Sequence, residues 1–470
     1  MSNWLQLQQR LGKQPSSRPR PPEKAPARSA ATKPPAALPA APAGLLDARG
    51  QLRSDISLDL TLPSGTALCT PPRAPADHAE PDAAAEARRL HAVQALAAHF
   101  ERTVAPLLGG RKWFSHFEAW LWAARAEESC RAGAEPPGAP VSVLPSGVAP
   151  RGAASQELEL KLIRAGQPDG AARQVCAQLA REASRLASQL AAAAPSAGAG
   201  ATAVAVEAAA APAVGHSPIV SLTARGAVVR CSQLHLDKLR QLYTPHRKRK
   251  RHATPAAREE AFLGAAFCVL ARLAALQGGE PRAGGMQAAC PAALFDALRE
   301  TLGVSAELFA SPLNARFPRY CSAAADVDHP FGSLGSFFSV HPKAGGFMAN
   351  PPFAPALVGL MVQRMEEALR EADACTRELC FVVVVPHWPD KECWRAIASS
   401  SWTRHTLHIP QARHAYMEGG QHYRASLYRL SNHDSSMFVL QSKEALRKRP
   451  VTPEIESVLI DAWLPDAIKA

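Results

Sequence analysis

Seven consecutive apolar residues, Leu379-Cys380-Phe381-Val382-Val383-Val384-Val385, run up to Pro386. A strand with one wet face alternates polar and apolar side chains; an unbroken β-branched run suits a strand covered on both faces. Upstream, Leu357, Leu360, Met361, Met365 and Leu369 recur at three- and four-residue steps, the spacing of one helix face. Before them a very short strand is expected at Phe347-Met348-Ala349, following Gly345-Gly346. Strand, helix and buried strand make a βαβ unit, so a parallel sheet with its ligand site at the strands' carboxyl ends is expected. The residues at that end are Asn350-Pro351-Pro352-Phe353.

That tetrapeptide suits the methylation of a poorly nucleophilic amine. The lone pair of adenine N6 is delocalised into the ring, and two acceptors placed against its N–H bonds favour the tetrahedral geometry that frees it. The side-chain oxygen of Asn350 and the carbonyl of Pro351 can form that pair, with φ set in advance by Pro351 and Pro352. Phe353 offers a flat face for the base, worth ~1–3 kcal/mol in stacking. The same acceptors would hold a glutamine amide, so protein, DNA or RNA substrates all remain open here. The implied methyl donor is S-adenosylmethionine, with no metal. A glycine-rich G-x-G-x-x-G loop is not found; Phe331-Gly332-Ser333-Leu334-Gly335 has small residues in useful places, and Asp326 or Asp328 can reach cofactor hydroxyls.

The chain has 470 residues and a net charge of +12, an excess that favours a polyanionic partner such as nucleic acid. Its 41 prolines outnumber its 29 glycines and crowd into a few stretches, so part of the chain is expected to stay unpacked. Residues 1–81 are expected to be a disordered Pro/Ala/Arg-rich arm, 82–258 a helical domain, and 259–470 the domain that carries the site. Within the helical domain, 191–217 is low-complexity and is expected to be an insertion loop, and His246-Arg247-Lys248-Arg249-Lys250-Arg251-His252 is a basic run that fits nuclear import or phosphate contact. The aromatics Trp113, Phe114, Phe117 and Trp120 are read as core. The ten cysteines form no C-x-x-C pair and are expected to be reduced, buried thiols. With no signal peptide and no apolar run near ~20 residues, a soluble intracellular monomer without membrane attachment is expected, nuclear through the basic run and otherwise cytoplasmic.

Several ordered stretches resemble a known family. Glu307-Leu308-Phe309-Ala310-Ser311-Pro312-Leu313-Asn314, Tyr320-Cys321-Ser322-Ala323, Phe331-Gly332-Ser333, Ala349 to Phe353, Pro386-His387-Trp388 and Gln421-His422 are similar to the phosphorylated-CTD-interacting factors, cap-specific adenosine N6-methyltransferases of mRNA. The similarity extends from about Ala265 to Ser442, and more weakly back to about Glu86. It implies a Rossmann-like class I methyltransferase core beside a helical domain, and a substrate of capped RNA in which 7-methylguanosine precedes 2′-O-methyladenosine. Carried onto this sequence, Asn350 to Phe353 surround the target base and donor. Ser311, Pro312, Asn314, Asp326, Asp328, Phe331, Gly332 and Ser333 become donor-binding candidates. Pro386, His387, Trp388 and His422 become substrate-binding candidates, with Trp388 and Asp390 suited to a cationic 7-methylguanine. Three departures stand out: Pro355 where an acidic residue is expected, the 191–217 insertion, and a first hundred residues with Trp4 alone. The last predicts no WW domain, which argues against recruitment to the phosphorylated polymerase tail. Methylation of adenine in other RNA or DNA, or cap and RNA binding without catalysis, are the competing expectations.

Overall fold

The computed structural model describes residues 67–68, 82–110, 112–132, 142–147, 152–193, 203–208, 217–243, 254–424 and 427–469. The basic run 246–252 lies outside the described residues, as does nearly all of the expected arm, whose Ala67–Leu68 forms strand β1.

The first layer is helical. Helix α1 (Ala83–Thr103) starts at Asp82, whose carboxylate accepts from the Ala84 and Ala85 amides at 2.8 and 3.2 Å, satisfying two otherwise unpaired donors. Around it come α2 (Trp113–Ala132), α3 (Ala153–Arg164) and α4 (Asp169–Ala192). Leu90, Val93, Leu96 and Phe100 of α1 are buried with Phe117, Trp120 and Leu121 of α2 and Leu179 of α4, so the aromatics are core as the spacing predicts. An antiparallel sheet follows, β2 (Ala205–Ala208), β3 (Ile219–Ala224) and β4 (Ala227–Ser232). β2 falls inside the stretch expected as a loop; alanine-rich composition hid its pairing with β3, a non-local contact that local pattern cannot show. Helix α5 (Gln233–Leu242) is capped by Ser232, and α6 (Pro255–Leu276) closes the layer against α1.

The second layer is a mixed sheet whose main strands are β5 (Val304–Glu307), β6 (Pro342–Ala349), β7 (Leu379–Pro386), β8 (Thr403–Ile409) and β11 (Ser435–Gln441). Their spatial order is β5-β6-β7-β11-β8. β6 runs parallel to β5 and β7, and β11 antiparallel to both neighbours. Parallel bridges Glu307–Tyr320 and Tyr320–Ser333 extend the sheet beyond β5 by two single-residue steps. The sheet is preceded by α7 (Ala292–Leu302). Between β5 and β6 lies the single turn α8 (Ala325–Asp328), and α9 (Pro355–Ala374) links β6 to β7. Then come α10 (Glu392–Ala398), the hairpin β9 (Ala415–Met417) and β10 (Tyr428–Leu430), α11 (Lys443–Lys448) and α12 (Pro453–Ala462).

Every residue of β7 is buried, as its composition demands. Phe381, Val383 and Val385 pack on one face with Met361, Met365 and Leu369 of α9; Val382 and Val384 pack on the other with Leu294 and Leu298 of α7 and with Trp463. Strand β6 is longer than the expected three residues because it includes both glycines. A Cβ on Gly346 would stand 2.6 Å from the Gly303 carbonyl, so the α7–β5 turn can press on the strand only at a glycine. Among the described residues, no helix is long and apolar enough to cross a membrane.

The layers are joined by buried charge. The Arg272 guanidinium of α6 reaches Glu86 of α1 at 2.6 and 2.8 Å and Asp326 of α8 at 2.8 and 2.9 Å. Burial alone would lower its pKa, but the two carboxylates outweigh that and hold it charged.

Candidate active site

Strand β6 ends at Asn350, and the next three residues turn the chain into α9. Pro351 and Pro352 are buried, the Ala354 amide donates to the Pro352 carbonyl at 2.7 Å, and Pro355 begins the helix, where its missing N–H costs nothing. Asn350 Nδ2 donates to the Ala288 carbonyl at 2.8 Å. A carbonyl only accepts, so the amide nitrogen must face it and the oxygen must face away. That oxygen, Oδ1, is buried and has no hydrogen-bond partner. An unsatisfied buried acceptor costs about 1–3 kcal/mol, and Asn350 Oδ1 is one of several such side-chain atoms among the described residues. A ligand N–H would satisfy it.

Phe353 is half-buried and meets three rings edge to face: Trp388 at 6.2 Å, Tyr416 at 6.3 Å and His433 at 5.8 Å between centroids. Trp388 follows β7, Tyr416 lies on β9, and His433 precedes β11, so the carboxyl end of the sheet builds an aromatic enclosure. Tyr416 and His433 were missed in the sequence; no local pattern ties them to Phe353, and only the β9–β11 path brings them there.

The Ser311–Asn314 turn sits just past β5. Asn314 Oδ1 accepts from the Ser311 amide at 2.7 Å and its hydroxyl at 3.0 Å, closing the turn across Pro312, and Asn314 Nδ2 donates to the Gln287 carbonyl at 3.3 Å. Asn314 and Asn350 therefore hang from adjacent carbonyls, Gln287 and Ala288. The structure brings Ser311, Pro312, Asn314 and Asn350 together through one loop. Buried charge holds this turn from below: Glu307 accepts from the Arg316 and Phe317 amides at 2.6 and 3.0 Å, and Lys238 of α5 donates to the Leu313 and Ala315 carbonyls at 3.0 and 2.8 Å.

The other donor-binding candidates lie in packing positions. Asp326 pairs with Arg272, and Asp328 is buried beside Ser322. Phe331 belongs to the helical core, Ser333 shares a 2.7 Å hydrogen bond with Ser322, and Gly332 takes φ +99° where a Cβ would meet the Pro318 carbonyl at 2.6 Å. Of the substrate candidates, Pro386 ends β7 and Trp388 touches Phe353. His387 bonds Ser436 Oγ at 2.9 Å and stacks near His408. His422 packs instead on His235 and Tyr423, buried, with its pKa held down to about 3 by burial and then by Arg424. Asp390 is exposed.

These buried groups give stability a definite pH dependence. Desolvation, against opposing backbone hydrogen bonds, raises Glu118 and Glu307 to about 7, and desolvation raises Asp328 to about 8. The folded chain then holds protons that the unfolded chain has released, so stability is lost as pH rises through 7 to 8. Below about 6.5 the buried histidines oppose this. His414, held near 4 by burial, His235 and His422 must stay neutral when folded, so stability is also lost as pH falls. The melting temperature is expected to peak near pH 6.5 and to drop by a few degrees toward pH 8, about 2 kcal/mol. Asp328→Asn should flatten much of that alkaline limb; an unaltered limb in calorimetry would refute the assignment.

At the end of a parallel strand in a mixed α/β fold, a buried amide oxygen without a protein partner thus lies three residues before Phe353 and its cluster of rings. Residues 238–419, which include Asn350 to Phe353, match the model of the family described as Phosphorylated CTD interacting factor 1 WW domain. The matched span corrects the expectation that a WW domain is lacking: it lies from α5 to β9, not in the first hundred residues where tryptophans were sought. The chain is similar to the human protein named mRNA (2′-O-methyladenosine-N(6)-)-methyltransferase, 33% identical over 241 residues, which is 50% of this chain and 33% of that protein. The Mus musculus protein of the same name is 32% identical over the same length and shares. The chain thus spans about a third of the length of the curated relatives it matches.

Proposed function

We propose that this protein transfers a methyl group from S-adenosylmethionine to N6 of the adenosine that follows the 7-methylguanosine cap of mRNA. The observation that carries this reading is the buried, unpartnered Oδ1 of Asn350, aimed away from Ala288. It would accept one N6–H, and the Pro351 carbonyl the other, while Phe353 and its ring neighbours hold the base. The donor would lie between the Ser311–Asn314 turn and Asn350, at the carboxyl ends of β5 and β6, and supplies an electrophilic methyl while leaving as a neutral thioether. Asn350 and Pro351 draw the amine out of conjugation; after transfer the extra proton leaves to water, so no general base is needed.

The strand order supports a Rossmann-like class I core: two parallel steps beyond β5, then β5, β6, β7, and β11 antiparallel before β8. Ligands in open α/β sheets bind at the carboxyl ends, where Asn350 lies. The names of the human and mouse relatives support the cap-adjacent substrate. Trp388 in the enclosure suits a cationic 7-methylguanine. Association with the phosphorylated polymerase tail, supported by the family match, and a nuclear location, supported by His246 to His252, belong to the same proposal.

Calorimetry with S-adenosylmethionine tests it: one donor should bind per chain, whereas a non-catalytic RNA scaffold binds none. Phe353→Ala is expected to lower kcat/KM for capped RNA by roughly ten- to a hundredfold, the worth of one base stack. An unchanged kcat/KM in steady-state assays would make the ring structural.

A further inference from the structure

We propose that Glu118, on helix α2 of the helical layer, is a positioning residue that sets the orientation of the Asn350 amide through the loop 284–289. The inference rests on the methyl-transfer reading of Asn350 and identifies what aims its oxygen.

The side chain of Glu118 is buried, and its two oxygens accept three successive backbone amides: Gly284 at 3.1 Å and Gly285 at 3.0 Å on Oε2, and Met286 at 3.3 Å on Oε1. Consecutive N–H groups converging on one point form a concavity for an anion. Here α2 fills it from within the chain, so the loop's entry is held by the helical layer. The loop's exit is held by the sheet layer, where Ala289 and Met417 exchange two backbone hydrogen bonds of 3.1 and 2.7 Å. Between these anchors lie the two carbonyls that matter, Gln287 for Asn314 and Ala288 for Asn350.

Glycines make the arrangement possible. Gly284 takes φ +114°, and its carbonyl presses on Gly419 so closely that a Cβ there would overlap it. With backbone packed on both sides, the loop has one low-energy path while the carboxylate is in place. Replacing one carboxyl oxygen by an NH₂ leaves at least one of the donors at 284, 285 and 286 without an acceptor, and the path of the Ala288 carbonyl loosens. The Asn350 amide then loses the partner that forces its oxygen toward the substrate. No hydrogen bond joins Glu118 to Asn350, so its effect must travel through this loop.

Glu118→Gln keeps the volume but turns an NH₂ toward one of the loop donors. Turnover is measured with capped RNA and labelled donor, with kcat expressed per donor-binding site counted by calorimetry, so unfolded protein does not enter. The expected result is a ten- to hundredfold fall in kcat with the donor KM changed less than twofold. In an Asn350→Ala background the same substitution should change the residual kcat by less than twofold, because the residue it acts through is gone. Should Glu118→Gln bind no donor, Glu118→Asp, which keeps the charge and withdraws it by one methylene, is read through the same cycle. An unchanged kcat, or an equal fall in both backgrounds, overturns the positioning role. Absence of transfer by the unsubstituted protein would instead reject the methyltransferase reading itself.

Discussion

Replacing Asn350 by alanine should lower kcat for methyl transfer to capped RNA by about a hundred- to a thousandfold, the loss typical of a preorganised polar group that acts mainly in the transition state. The direction follows from the amide's two ends. Nδ2 is tied to Ala288, so the substitution also frees that carbonyl, but the larger loss is Oδ1, which has no protein partner and is the acceptor proposed for N6–H. Asn350 is only partly buried and contributes no apolar core, so the melting temperature should move by no more than a few degrees. Asn350→Asp separates acceptor from amide. It retains an oxygen toward the base but sets a second one against the Ala288 carbonyl, acceptor to acceptor, and should be nearly as inactive as alanine. Full turnover in either variant, measured with labelled donor under single-turnover conditions, would remove Asn350 from the chemistry.

The largest loss of stability is expected from Arg272→Met, about 3–5 kcal/mol, because one guanidinium neutralises two carboxylates in the interior. Arg272 is 1% exposed and Glu86 2%, so neither can turn to water when its partner disappears, although Glu86 retains Arg89 at its edge. The same three residues link α1, α6 and α8, so their loss should also detach the helical layer from the strand steps beyond β5. Denaturant unfolding measures this directly. The triple variant Arg272→Met, Glu86→Gln, Asp326→Asn, which removes both carboxylates together with their cation, should recover much of the loss; a single-variant cost under about 1 kcal/mol would show that the network carries little.

Period and punctuation made most of this fold legible. The β-branched run at 379–385 reads as a doubly covered strand, and the three- and four-residue spacing of Leu357 to Leu369 marked the helix before it. Asn350 to Phe353 could be placed because a strand and an amphipathic helix flank them. What stayed hidden depends on distant pairing. β2 gains its identity from β3, and Tyr416 and His433 reach Phe353 only once β9 and β11 are in position. Glu118 was hidden for the same reason, since 166 residues separate it from Gly284. Asp326 was conspicuous in the sequence as an acid near the site, yet its nearest cation, Arg272, comes from a helix that local pattern places elsewhere.

The central claim is that a carbonyl-anchored asparagine at the end of β6 presents an acceptor to adenine N6 beside the cap. Nucleoside mass spectrometry settles it most directly. Oligoribonucleotides beginning with 7-methylguanosine and 2′-O-methyladenosine, and the same oligomers without the cap, are incubated with the protein and labelled S-adenosylmethionine. N6-methyl-2′-O-methyladenosine is expected from the capped oligomer and little or none from the uncapped one. Label absent from both, or appearing at internal adenosines regardless of the cap, would contradict it.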